Sequence, residues 1–88
     1  MYLHLGRSVV VPFRDVLAIC DMDNATASHR TRKFLARAER EGRVVNVSDD
    51  LPRSFVLCGR RDGSWQIYIS QLSSGTLLRR VEQFSRPG

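Results

Sequence analysis

An α+β fold, built as a small, largely antiparallel β-sheet with one long amphipathic helix and a short C-terminal helix, is what this 88-residue sequence predicts. Three observations carry that reading. Strand-like and helix-like stretches alternate in the order strands, helix, strands, helix. Asp62-Gly63 separates two apolar runs, a strong signal for a tight β-hairpin. Thr31, Phe34, Leu35 and Ala38 recur at i, i+3, i+4 and i+7, the spacing of one helical face. No internal repeat and no long linker interrupts the chain, so residues 1–88 read as a single domain.

The elements follow in order. "YLHL" alternates, with Leu3 and Leu5 on one face and Tyr2 and His4 on the other. Gly6, Arg7 and Ser8 form a turn, "VVVPF" gives a second strand stopped by Pro12, and "DVLAICD" is a third apolar run. Val9, Val10 and Val11 are apolar on both faces, as in a strand covered on both sides. In so short a chain, a second subunit is a natural source of one cover. "DMDNATAS" is the main loop, with Thr26 or Ser28 as N-cap of the long helix and Gly42 placed for its left-handed C-cap. "RVVNV" returns to strand and "DDLPR" is a connecting loop broken by Pro52. "SFVLCGR" and "SWQIYIS" are the arms of the hairpin. "SSGTLLRRVEQFS" forms the last helix, capped by Ser73 or Ser74, with Leu77, Val81 and Phe84 inward and a frayed "RPG" after it.

Charge narrows the function. Fourteen Lys and Arg outnumber nine Asp and Glu, which draws the chain to polyanions, and Lys33 is the single lysine. Arginine suits bidentate phosphate recognition, although a GC-rich genome produces the same bias. No apolar run approaches the ~20 residues of a membrane span, and the start lacks the pattern of a secretion signal. Cys20 and Cys58 sit in apolar runs without CxxC spacing, the pattern of reduced thiols in a cytoplasmic protein.

Catalysis finds little support. His4 and His29 stand in no recognisable spacing with Ser, Cys or a carboxylate, and no glycine-rich phosphate loop is present. Asp21, Asp23 and Asn24 lack the downstream glutamate of a calcium loop. The expectation is a non-enzyme with no cofactor and no metal.

The helix "SHRTRKFLARAEREG" carries the densest positive charge. Strand residues flank it, so it is not half of a helix-turn-helix. Arg37 and Arg40 are diluted by Glu39 and Glu41, whereas Arg30, Arg32 and Lys33 stand uncompensated at the N-terminus, where backbone N–H groups favour phosphate. Trp65 and Tyr68 lie on opposite strand faces and read as core or subunit-interface residues more readily than as base-stacking platforms.

"MYLHLG", "VVPFRDVLAI", "ARAEREGRVV", "RSFVL" and "SQLSSGTLLRR" occur in this order over nearly the whole chain. Together they resemble the Rem family, the bacterial RemA and RemB regulators of extracellular matrix and biofilm genes. "MYLHLG" and "LSSGTLLRR" resemble the RemB branch. The resemblance implies a LytTR-related α+β unit that assembles into rings and activates transcription by binding double-stranded DNA. It also implies DNA contacts through Arg14, just before the third strand, and through Arg53, just before the "RSFV" strand. One departure is evident: Asp50 and Leu51 stand where RemA-type proteins carry an arginine pair, and Asp49-Asp50 opposes an approaching phosphate.

The expectation is a cytoplasmic, ring-forming DNA-binding regulator whose DNA-contacting candidates are Arg14, Arg53, Arg32 and Lys33. Its partners would be double-stranded DNA and further copies of itself in a cyclic homo-oligomer, with no membrane. The alternative is a RemB-like oligomer acting through protein partners with little DNA affinity.

Overall fold

The computed structural model describes residues 1–22 and 28–85, without the side chains of residues 84 and 85. The alternative cap Thr26, most of the "DMDNATAS" loop, the inward face assigned to Phe84 and the "RPG" end therefore lie outside the described residues.

Strands β1 (Tyr2–Gly6) and β2 (Val9–Pro12) form an antiparallel hairpin, turned by Gly6 at φ +124° and Arg7 at φ +49°. A 3-10 turn over Phe13–Asp15 leads into β3 (Val16–Asp21). The long helix α1 spans His29–Arg40, and Ser28 caps it by accepting the Thr31 N–H at 3.5 Å. Gly42, at φ +73°, ends that segment in the left-handed region expected of it. Strands β4 (Val44–Asn46), β5 (Ser54–Gly59) and β6 (Trp65–Ser70) follow, and α2 spans Ser74–Ser85. Ser73 caps α2, its Oγ accepting the Thr76 N–H at 3.1 Å.

The β5–β6 hairpin closes through the Arg60 N–H to the Ser64 carbonyl, and the Gly63 N–H bonds back to the Arg60 carbonyl. Its loop is thus three residues long, with Gly63 at φ +90°. Glycine is needed there because a three-residue hairpin loop ends in a left-handed residue.

The larger sheet has strand order β3-β5-β6-β4. β3–β5 and β5–β6 pair antiparallel, but β4 lies parallel to β6, with Val44 opposite Ile67. The chain leaves α1 beside the only open edge of β6, and nothing local in "RVVNV" specifies direction.

Alternation along β5 and β6 splits the core in two. Phe55, Ile67 and the flanking Leu57 and Ile69 face α1, which presses Ala38 and Leu35 onto them. Val56, Cys58 and Tyr68 face the other way, against Leu3, Leu5 and Val11 of the β1–β2 hairpin and Leu77 and Val81 of α2. The result is three layers: α1, sheet, then hairpin with α2. Both covers of the central strands β5 and β6 come from the chain itself. In β2, the strand expected to take a cover from another subunit, Val11 is buried and Val10 remains 42% exposed. Uncovered apolar side chains stand at the margins: Leu17 is 63% exposed, Leu51 83%, and Tyr2, Val10 and Leu78 also face outward. Phe34, read from the sequence as inward, is 38% exposed because the helix turns Ala38 and Leu35 to the sheet and leaves Phe34 at its border.

Two buried serines tie the layers. Ser70 Oγ donates to the Leu5 carbonyl at 2.6 Å and accepts the Leu72 N–H at 3.0 Å. Its cross-strand neighbour Ser54 donates to the Leu72 carbonyl at 2.7 Å. Sequence reading placed neither residue in the core.

Candidate nucleic-acid interface

Arg14 sits in the 3-10 turn before β3, with 86% of its side chain exposed. Its single ion-pair neighbour, Asp15, is 3.9 Å away, too long to neutralise it strongly. Because Val16 pairs with Cys58, the residues before β3 and after β5 meet at one end of the sheet. Arg14, Arg60 and Arg61 therefore line a common open depression with Pro12, Asp15 and Gly59. The strand register, which is not written in local sequence, is what unites them.

Arg53 is at the opposite end. Its N–H bonds the Ser70 carbonyl and its carbonyl accepts from Met22, so its backbone is fixed while its side chain is exposed. The six residues of β5 separate it from Arg60 by ~20 Å at ~3.3 Å per residue. One chain does not bring Arg14 and Arg53 together.

At the start of α1, Arg30, Arg32 and Lys33 are exposed, and no acidic residue stands in the first turn. Arg30, Lys33, Arg37 and Arg40 form a ridge beside Phe34, while Arg32 projects elsewhere. The far end is compensated as its sequence implies. Glu41 accepts from Arg37 Nε and Arg43 Nε, each at 2.9 Å, and these two bonds hold its carboxyl below the ordinary range. Arg43 is further committed, 4.3 Å over the Trp65 ring and donating to the Trp65 carbonyl. Trp65 also stacks on Phe34 at 5.7 Å between centroids. This Phe34–Trp65–Arg43 sandwich was not visible in the sequence, since its members are 31, 22 and 9 positions apart only along the chain. Among the described residues, Arg30, Arg32, Lys33, Arg53, Arg60 and Arg61 form no ion pair.

Beside these cations runs an apolar groove. Leu17, Phe34, Leu57 and Trp65 line it, and Gly59 lies at its floor, where Leu17 rests so closely that an added Cβ would meet its Cδ1 at 2.8 Å. Arg60 borders the groove on one side, and Phe34 is shared with the α1 ridge on the other. Asp49, Asp50 and Leu51 are exposed in the loop before β5.

A separate depression is lined by residues including Tyr2, His4, Gln71, Arg80 and Gln83, with Arg80 donating to the His4 carbonyl at 3.0 Å. Among the described residues, no carboxylate or thiol lines it. The cysteines lie elsewhere: Cys20 pairs with Phe55, three strand positions from Cys58, and the two point to opposite faces of the sheet. At ~3.3 Å per position they are too far apart for a disulfide. Burial, helped by the nearby Asp15 charge, pushes the Cys58 thiol up to about 11, and burial raises Cys20 as well.

The fold is thus a three-layered α+β unit with exposed arginines at both ends of its larger sheet. Residues 2–81 match the family model described as RemA-like, Extracellular matrix regulatory protein A-like. The chain belongs to this family of extracellular matrix regulatory proteins. It is similar to the Extracellular matrix regulatory protein B of Bacillus subtilis (strain 168), with 35% identity over 82 residues, 93% of this chain and 91% of that protein. That likeness supports the RemB branch. Among the described residues, no helix is long and apolar enough to cross a membrane.

Proposed function

We propose that this protein is a cytoplasmic DNA-binding transcriptional regulator of the extracellular-matrix type, a ring oligomer that contacts the DNA backbone through arginines. The observation that carries the reading is the open depression in which Arg14 stands with Arg60 and Arg61. Three guanidiniums held at one sheet end, where Asp15 is 3.9 Å from Arg14 and the Asp62 carboxylate is taken up by Ser64, suit phosphate oxygens. Arg53, Arg32 and Lys33 add cations on other exposed surfaces, and repetition around a ring multiplies every contact. Among the described residues, α1 packs on the sheet through Leu35 and Ala38 and is flanked by strands rather than by a second helix, which favours backbone and DNA shape over base readout.

Fluorescence anisotropy against AT-rich and random duplexes, over a range of salt, tests the reading. Affinity should fall with log K against log salt at about −0.9 per phosphate neutralised. Arg14→Ala and Arg53→Ala should each weaken binding and flatten the slope, whereas Arg37→Ala, whose charge Glu41 already compensates, should do much less. Failure of the wild-type protein to bind any duplex at low salt sinks the proposal.

A second reading has an observation of its own. The exposed Asp49-Asp50-Leu51 segment is acidic and apolar, the chemistry of a protein contact. On that reading the chain is an oligomeric interaction module with little DNA affinity.

A further inference from the structure

The groove and the acidic loop are complementary, and they lie at opposite ends of the sheet. The groove is apolar along its length through Leu17, Phe34 and Trp65, and it is flanked by cations on both sides, Arg60 on one and Arg30 and Lys33 of the α1 ridge on the other. Arg60 has Asp62 nearby, but that carboxylate is occupied by Ser64, which donates both its N–H at 2.9 Å and its Oγ–H at 2.6 Å. The occupant this surface fits is a short segment with an apolar side chain beside carboxylates. Among the described residues the chain displays one such segment. Leu51 is its most exposed large hydrophobic side chain at 83%, directly after Asp49 and Asp50. Neither carboxylate is in an ion pair among the described residues, and Pro52 stiffens the segment behind them.

The loop cannot reach its own groove. It precedes Ser54, whereas the groove lies around Leu57 and Gly59 and beyond the end of β5. A donor at one end and an acceptor at the other define a heterologous, head-to-tail contact, which closes into a ring or grows into a filament.

We propose that the Asp49–Leu51 loop of one copy seats in the Leu17–Phe34–Trp65 groove of the next. Leu51 covers the apolar floor, and Asp49 and Asp50 meet the flanking cations. Arg53 follows Leu51 by two residues, within ~7 Å along the chain. Docking therefore carries the Arg53 of one copy towards the Arg14–Arg60–Arg61 depression of its neighbour. The two ends of the sheet, ~20 Å apart within a chain, become one composite cationic site across each interface. The inference deepens the ring reading above by naming its contact, and the composite site bears on DNA only if the DNA reading also holds.

Solution mass in the absence of DNA tests the contact with the full-length chain. Leu17→Asp removes the acceptor and Leu51→Asp the donor. Both side chains are exposed, so each variant should keep the wild-type circular dichroism and melting temperature. Wild-type protein should be an oligomer at micromolar concentration, and each variant should fall to the mass of a single chain, 10.0 kDa. Mixed one to one, they should form a dimer of twice that mass, because one intact donor meets one intact acceptor and neither can propagate. A monomeric wild type, variants that still assemble, or loss of assembly in one variant only would each overturn the proposal, the last by showing that the groove or the loop has a different occupant. An identical mixture that stays monomeric does the same. DNA titration of the same samples separates the two ideas: assembly without DNA binding leaves the docking intact and removes the DNA reading, while DNA binding by a monomer does the reverse.

Discussion

Ser70 shows how much rests on single polar atoms. Its hydroxyl is fully buried and bonded on both sides, to the Leu5 carbonyl and the Leu72 N–H. Ser70→Ala leaves two backbone groups without their partner, and burying an unsatisfied group costs about 1–3 kcal/mol. Urea denaturation should show a loss in that range with an unchanged m-value, while Ser48→Ala, at a half-buried hydroxyl that accepts the N–H of the exposed Asp50, should shift the midpoint less. Cys58 makes a residue-scale prediction of a different kind. Its folded-state value of about 11 lies above the ordinary 9.0, so the native state holds a proton that the unfolded chain releases first. Its contribution to stability is fully present below pH ~9 and is lost as pH rises through about 11. Melting temperature should decline across that window, and Cys58→Ala, although less stable throughout, should decline less steeply. Neither Ser70 nor Ser54 was legible in sequence as a core residue, because a hydroxyl is buried only where a partner waits, and those partners lie 65 and 2 positions from Ser70 and 18 from Ser54.

At the scale of elements, local pattern served well and pairing did not. The i, i+3, i+4 spacing located α1, Asp62-Gly63 located the β5–β6 turn, and alternation placed Trp65 and Tyr68 on opposite faces. Each rests on neighbours within a few residues. The parallel β4–β6 pair, the meeting of Arg14 with Arg60 and Arg61, and the separation of Arg14 from Arg53 all depend on register, which no window of sequence contains. The Phe34–Trp65–Arg43 sandwich belongs to the same class. It predicts that Trp65→Ala, by removing the stack and the support of Arg43, should destabilise measurably but by less than the ~3–5 kcal/mol of a fully buried aromatic, since Trp65 is half-buried. Phe34 is partly exposed, so Phe34→Ala should cost clearly less. Caps offer a milder check: Ser28→Ala should cost about 0.5–2 kcal/mol and fray the first turn of α1, visible as faster amide exchange at Thr31.

For the whole molecule, the governing quantity is an excess of positive charge, 14 basic against 9 acidic residues, distributed unevenly. Acidic residues gather in the loop before β5 and near the end of α1, and arginines gather at the tip of the β5–β6 hairpin and the start of α1. Asp49 and Asp50 precede β5 and Arg60 and Arg61 follow it, so charge reversal at one end of that strand should not equal reversal at the other. Asp50→Arg raises net charge, yet it should lower solution mass by repelling the neighbour's groove, and raising salt should partly restore assembly by screening that repulsion. Arg61→Ala, in the depression beside the groove, should leave mass unchanged and weaken only DNA affinity.

The hydrogen bonds from Ser70 to Leu5 and from Arg80 to His4 join positions 65 and 76 residues apart. The β1–β2 hairpin, synthesised before its partners, is therefore late to find its support. Leu3, Leu5 and Val11 bury themselves against Val56, Cys58 and Leu77, none of which exists while the first half is being made. Contacts of such long sequence separation slow folding, because loop closure precedes any return from contact. Nascent chains shorter than the end of α2 should remain protease-sensitive throughout, with resistance appearing in one step once that helix is complete. Weakening Leu77 should slow refolding more than weakening Ala38 does.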